Sequence, residues 1–186
     1  MDVLTGEPLA LDLVNTRART SSGAEYDALA RADDCNAWLS AQSGRLTVPE
    51  APLAAADLPA IRQLRGHVEV ALAAVRAADP PPIKAVVAIN EAMRAAPPYA
   101  CLEAAGTVLK RGQKRDGTPL TRLLAELAEA ATALLTDPDV GKVRGCEAPH
   151  CRMLFLPAHP RRRWCSPDLC GNRVRVARYH QRHKTT

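Results

Sequence analysis

The sequence predicts a mainly α chain: a helical body over residues 1–140, then a small module over 141–186 in which a β-hairpin and a helix are held by a metal. Three observations predict it. Leucine, valine and isoleucine recur at steps of three and four across long stretches, the spacing that lines one face of a helix. Hydrophobic residues make up 47% of the chain but aromatics only 3%, so the core must be aliphatic and alanine-rich, which suits helices. Four of the six cysteines, Cys146, Cys151, Cys165 and Cys170, form two C-x4-C pairs thirteen residues apart.

The opening run Leu9, Leu11, Leu13, Val14 is compatible with a short strand or a first helix, too brief for periodicity to decide. Asp33-Asp34 starts a helical stretch through Trp38 and Leu39, with Ser43-Gly44 as its stop signal and a proline-bearing loop after it. Leu58, Ile61, Leu64, Val68, Leu72 and Val75 predict one long amphipathic helix that ends before Asp79 and three prolines. A further helix is expected from Ile83 to about Ala95, closed by Pro97-Pro98. Glycines at 106, 112 and 117 punctuate a weaker pattern between Tyr99 and Thr118, which reads as a hairpin. The last helix of the body carries Leu120, Leu123, Leu124, Leu127, Leu134 and Leu135 and stops at Asp137-Pro138, with Gly141 at the joint.

Charge divides the chain at the same joint. From Lys142 onward there are eleven Lys and Arg against two acids, a net +9, which leaves the preceding residues at −4 with 14 bases and 18 acids. A cationic module on an acidic body points to a polyanionic partner met by the module alone. Four thiolates around Zn²⁺ carry a net −2, and neighbouring cations that compensate them account for only part of the excess.

Each C-x4-C pair can reach a metal through one tight turn, and four thiolates complete the tetrahedron of a structural Zn²⁺ site. Iron–sulfur clusters use other spacings. A disulfide framework belongs to small secreted chains, whereas this chain opens MDVLTGEPLALDLVN without a signal-peptide pattern, so a cytoplasmic protein with reduced thiols is expected. Cys35 and Cys101 stand alone. No apolar run reaches the roughly 18 residues of a membrane span. Within the module, Cys146 to Cys151 forms a first turn, Arg152 to Leu156 is the strand candidate, Arg163-Trp164 returns, and Cys170 opens a helix through Tyr179. Knuckle, hairpin and helix in this order describe a treble-clef zinc finger, with Phe155, Trp164 and Tyr179 as what core remains beside the metal.

The string RRRWCSPDLCGNR, ending at Arg173, resembles the signature of the CGNR-type zinc-finger proteins of bacteria. Upstream, LDLVNT with the pairs Trp38-Leu39 and Leu64-Arg65 resembles their N-terminal partner, the ABATE domain. The resemblance implies a stress-induced transcription regulator, with a finger for DNA and a body that senses a small-molecule ligand.

On a helical wheel Cys170, Arg173, Val174 and Ala177 share one side, while Arg175, Arg178 and Arg182 share the opposite one. Arg173 is therefore expected at the metal cluster, with Gly171 letting backbone approach the sulfurs and Asn172 bonding across the first turn. Arg175, Arg178 and Arg182 are the expected nucleic-acid contacts, flanked by Arg161, Arg162, Arg163 and Lys184; the bland alternative is a solvated face. His150, His159, His180 and His183 lie nearby but are not needed as ligands.

A closed four-thiolate site leaves no position for a substrate water, and the body shows no nucleophile elbow, phosphate loop, G-x-G-x-x-G or HExxH, so an enzyme is the least favoured class. Asn15, Thr16 and Arg17, with Trp38, are candidate ligand-pocket residues; against this, Asn15 and Thr16 equally suit a turn that ends the element, and Trp38 suits a core. Asp12 and His67 are weaker pocket candidates. Binding by one short helix implies a homodimer or a second contact surface. The competing functions are a redox- or zinc-responsive switch, since oxidised thiolates eject metal, and a protein-interaction adaptor.

Overall fold

The computed structural model describes residues 5–19 and 23–183. The first helix is α1 (Leu9–Asn15), in which every residue from Ala10 onward is buried. It settles what periodicity could not. It is wedged between α3 (Leu58–Arg76) and α5 (Pro119–Leu135), with α4 (Ile83–Ala95) packed against both of those long helices. α2 (Ala32–Ala41) adds Cys35, Trp38 and Leu39 to the same core.

Local chemistry sets the boundaries. Thr118 caps α5, its Oγ1 accepting from the Thr121 N–H at 3.1 Å, and Pro119 sits where a missing N–H costs nothing. α3 ends in a paired closure: the Ala78 N–H reaches Val75 O at 3.1 Å and the Asp79 N–H reaches Ala74 O at 2.9 Å, with Ala78 itself at φ 58° and the prolines just beyond. Asn36 holds the loop after α2 by exchanging two hydrogen bonds with the Leu53 backbone, at 2.9 and 3.0 Å.

The expected hairpin is present as β3 (Pro98–Ala105) and β4 (Val108–Arg115), antiparallel with Ala105 opposite Val108 at its tip. A second one, β1 (Arg17–Arg19) with β2 (Glu25–Asp27), was not legible in the sequence. It matters because it brings Asp27 to Arg65 of α3. That arginine is 3% exposed, forks onto both Asp27 oxygens at 2.6 and 2.7 Å, and donates to Thr16 Oγ1 at 2.9 Å.

In the module the strand expected over Arg152–Leu156 shortens to β6 (Leu154–Phe155), and its partner is β5 (Arg144–Gly145) rather than Arg163-Trp164. The first knuckle therefore closes the hairpin. Val143 belongs to the body's core cluster, and Leu154 and Leu156 pack against it, so core membership carries past residue 140. Among the described residues no helix is long and apolar enough to cross a membrane.

Candidate metal centre and basic helix

Strand β5 delivers Cys146, whose N–H donates to Met153 O at 2.9 Å, and the turn that follows places the Cys151 N–H on Ala148 O at 3.1 Å. His150 adopts φ 62° to complete that turn. The Ala148 and Met153 N–H groups point at the sulfurs of Cys146 and Cys151, two residues back in each case. The second pair is built differently. Ser166 caps a wide turn over Pro167–Gly171, accepting from the Leu169 N–H at 3.1 Å, while the Cys170 and Gly171 N–H groups both converge on Ser166 O. This π-type turn brings Cys170 back to Cys165 and leads into α6 (Asn172–His183).

All four sulfur atoms lie within 4.8 Å of one another. The separations Cys151–Cys165 and Cys151–Cys170 are 3.8 Å, and Cys165–Cys170 is 3.5 Å. A tetrahedron with Zn–S bonds of about 2.3 Å has edges of about 3.8 Å, so the sulfurs fit zinc as they stand. They also need a cation. Sulfhydryl donors from Cys151 and Cys165 hold Cys146 down at about 2, and the Cys146 thiolate in turn pushes Cys151 up to about 12 and Cys165 further up. Four adjacent thiolates coexist only when a metal offsets their charge.

Arg173 donates to Pro149 O at 3.3 Å and stands 3.5 Å from Cys170 Sγ, on the cluster side of α6. Gly171 is buried, and a Cβ there would stand 3.2 Å from the Trp164 ring, so the bare backbone makes room for the indole. Asn172 is exposed, and among the described residues its side chain bonds to nothing. Arg175 and Arg182 are exposed, with no acidic partner among the described residues. The Arg178 side chain and Lys184 lie outside what the structure describes. Arg161 is exposed, and Arg163 is half-exposed and pairs with Glu147 at 2.5 Å.

The surroundings of several of these residues differ from what the sequence suggests. Arg162 is not a free cation: its guanidinium lies 4.5 Å over the Phe155 ring and donates to Glu7 Oε1 and Cys165 O, both at 2.6 Å, and to Trp164 O at 3.1 Å. Tyr179 is not core but exposed, stacked on His183 at 4.1 Å. Asn15, Thr16, Arg17 and Trp38 are each engaged with other parts of the protein. Asn15 exchanges two 2.8 Å hydrogen bonds with the Leu154 backbone, as a neighbouring strand would. Thr16 donates to Leu13 O at 2.6 Å and receives Arg65; Arg17 is exposed beside Glu69 at 3.7 Å; Trp38 is core.

Asn15 is instead one part of a clasp between body and finger, which Glu7, Glu69 and Arg76 complete from the body side. Asp12, fully buried, accepts from the Gly6 and Glu7 N–H groups, from Gln42 and, at 2.6 Å, from Arg45. Burial pushes its carboxyl above the usual range, and those donors offset the rise only in part. Asp12 thereby fixes Glu7, whose two oxygens receive Arg162 and the Leu156 N–H at 2.9 Å. Glu69 pairs with Arg152 at 2.9 Å, and Arg76 donates to Val143 O at 3.0 Å. Sequence reasoning missed Glu7, Glu69 and Arg152, because no local pattern marks a partner 149 or 83 residues away.

Comparison with protein families gives two matches. Residues 7–138 match the ABATE family, described as "Putative stress-induced transcription regulator", and residues 142–183 match the CGNR zinc finger. No curated protein matches the chain. Family and geometry agree on the cofactor: Cys146, Cys151, Cys165 and Cys170 hold one structural zinc ion.

Proposed function

Since this chain belongs to the ABATE family and ends in a CGNR zinc finger, we propose that it is a cytoplasmic, DNA-binding regulator of transcription. Its treble-clef finger presents α6 to DNA, and its helical body answers a small-molecule ligand. The observation that supports this best is the division of charge around α6. Arg173 is spent on the zinc cluster, while Arg175 and Arg182 project outward with no acid to neutralise them among the described residues. Such cations suit phosphate, with Arg161 and Arg163 flanking and Arg178 and Lys184 continuing the run. Two copies act together, since one short helix reaches too few base pairs for specific binding.

Fluorescence anisotropy of a labelled duplex, at several salt concentrations, tests this. The double variant Arg175→Ala, Arg182→Ala keeps its zinc and its unfolding temperature, binds more weakly, and shows a log–log salt slope shallower by about two, one for each phosphate that the variant leaves unneutralised. Equal binding at every salt concentration refutes the assignment. A second reading, a protein-contact adaptor, is favoured by Leu169, Val176 and Tyr179, which are 56%, 47% and 54% exposed beside those arginines. It predicts no dependence on DNA at all.

A further inference from the structure

The geometry points to a binding site for a small organic carboxylate in the cleft between body and finger. The cleft encloses about 400 Å³ at the meeting of α1, α3, β1 and the first zinc knuckle. That volume lies within the range of small-molecule sites. Its apolar lining is Val14, Ala73 and Leu154, and its cationic lining is Arg19, Arg76 and Arg152.

Glu69 is the single acid in the lining, and it is shared between Arg152 at 2.9 Å and Arg17 at 3.7 Å. Arg76 spends its Nε on Val143 O and has no acidic partner among the described residues. Three arginines against one glutamate leave the lining itself at +2; Arg19 also meets Glu25, outside the lining, at 3.3 Å, so Arg76 is the cation there without an acidic partner among the described residues. Guanidinium forks beside an apolar lining match a carboxylate whose remaining surface is hydrocarbon, because the forks pair with its two oxygens and the apolar side chains cover its body. A free phosphate would leave those apolar side chains unused.

The position supplies a means of control, and here the inference rests on the sensing role proposed above. Arg152 follows the zinc ligand Cys151 directly, and its contact with Glu69 is one of the ties between finger and body. A bound carboxylate takes Arg152 from Glu69. Ligand occupancy and finger docking are then coupled, because each changes the free energy of the other.

Isothermal titration of the zinc-loaded full chain with benzoate, isovalerate and inorganic phosphate tests the site. Benzoate or isovalerate binds more tightly than phosphate. Glu69→Gln removes the competing acid and tightens binding several-fold, whereas Arg76→Ala weakens it roughly tenfold, as expected for a charged hydrogen bond. Ala73→Trp, at an exposed position, fills the cleft without altering a charge and abolishes binding while zinc content and unfolding temperature hold. The site is overturned if neither carboxylate binds, if phosphate binds as tightly, or if Ala73→Trp leaves binding intact. Should that happen while DNA affinity still depends on Arg175 and Arg182, the cleft assignment falls and the DNA reading stands.

Discussion

In the body, Trp38, Leu39, Ile61, Val68, Leu72, Leu123 and Leu127 meet in one continuous core, whereas beyond Val143 the only buried apolar residues are Ala148, Met153, Phe155 and Cys170 among the described residues. Such a segment cannot stay folded by burial alone. It relies on the zinc and on a polar clasp that uses body residues as surrogate structure: Asn15 stands in for a strand at Leu154, and Glu7 answers Arg162 and the Leu156 N–H. The finger thus joins a metal cluster to contacts with the body's surface, where the body has a continuous apolar core.

The largest expected effect is on the metal. Cys165→Ser removes one thiolate of four, and because zinc binding is most of the finger's folding free energy, on the order of 10 kcal/mol for sites of this kind, the variant loses zinc and the order of the finger. The body keeps its helical circular dichroism and a cooperative unfolding transition. If zinc stays bound at one per chain, the contrast between the two regions is drawn wrongly.

The body's counterpart is Arg65. Its fork on Asp27 is almost wholly buried on the arginine side, while a quarter of the Asp27 side chain is exposed, so Arg65→Met should cost about 3 kcal/mol, the lower end for a broken buried pair. Acid sharpens the test. Burial raises the Asp27 carboxyl, but the Arg65 fork and the Leu29 N–H more than offset this and leave it below its ordinary 3.8. A lowered folded value contributes stability that is complete above 3.8 and is lost as pH falls through the folded value. The gap between wild type and Arg65→Met, measured by urea unfolding, should therefore narrow on acidification below that point. A gap that widens contradicts the pairing.

The smallest effect concerns the clasp. Asn15→Ala removes both part-buried hydrogen bonds to Leu154 and should cost about 1–2 kcal/mol. Amide exchange at Leu154 should accelerate roughly tenfold while zinc content and the α5 amides are unchanged. Unchanged exchange at Leu154 would mean that the finger holds its place without this contact.

Much of this was legible in the sequence, for reasons that are local. The boundaries of α3, α4 and α5 follow from steps of three and four and from Asp, Pro and Thr signals at their ends, and the β3–β4 hairpin from its glycines. The zinc site follows from C-x4-C spacing, because each pair closes within a single turn. What the sequence could not determine was the role of its polar residues. Asn15 suited a pocket as well as a turn, Arg162 looked like its neighbours Arg161 and Arg163, and Glu7, Glu69 and Arg152 matched no pattern. Tertiary structure decided these, since whether a charge binds a partner or faces solvent depends on which distant group desolvates it. Tyr179 was assigned to the core by its residue type and is exposed because the finger, held by sulfur and seated on the body, has no core deep enough to receive it.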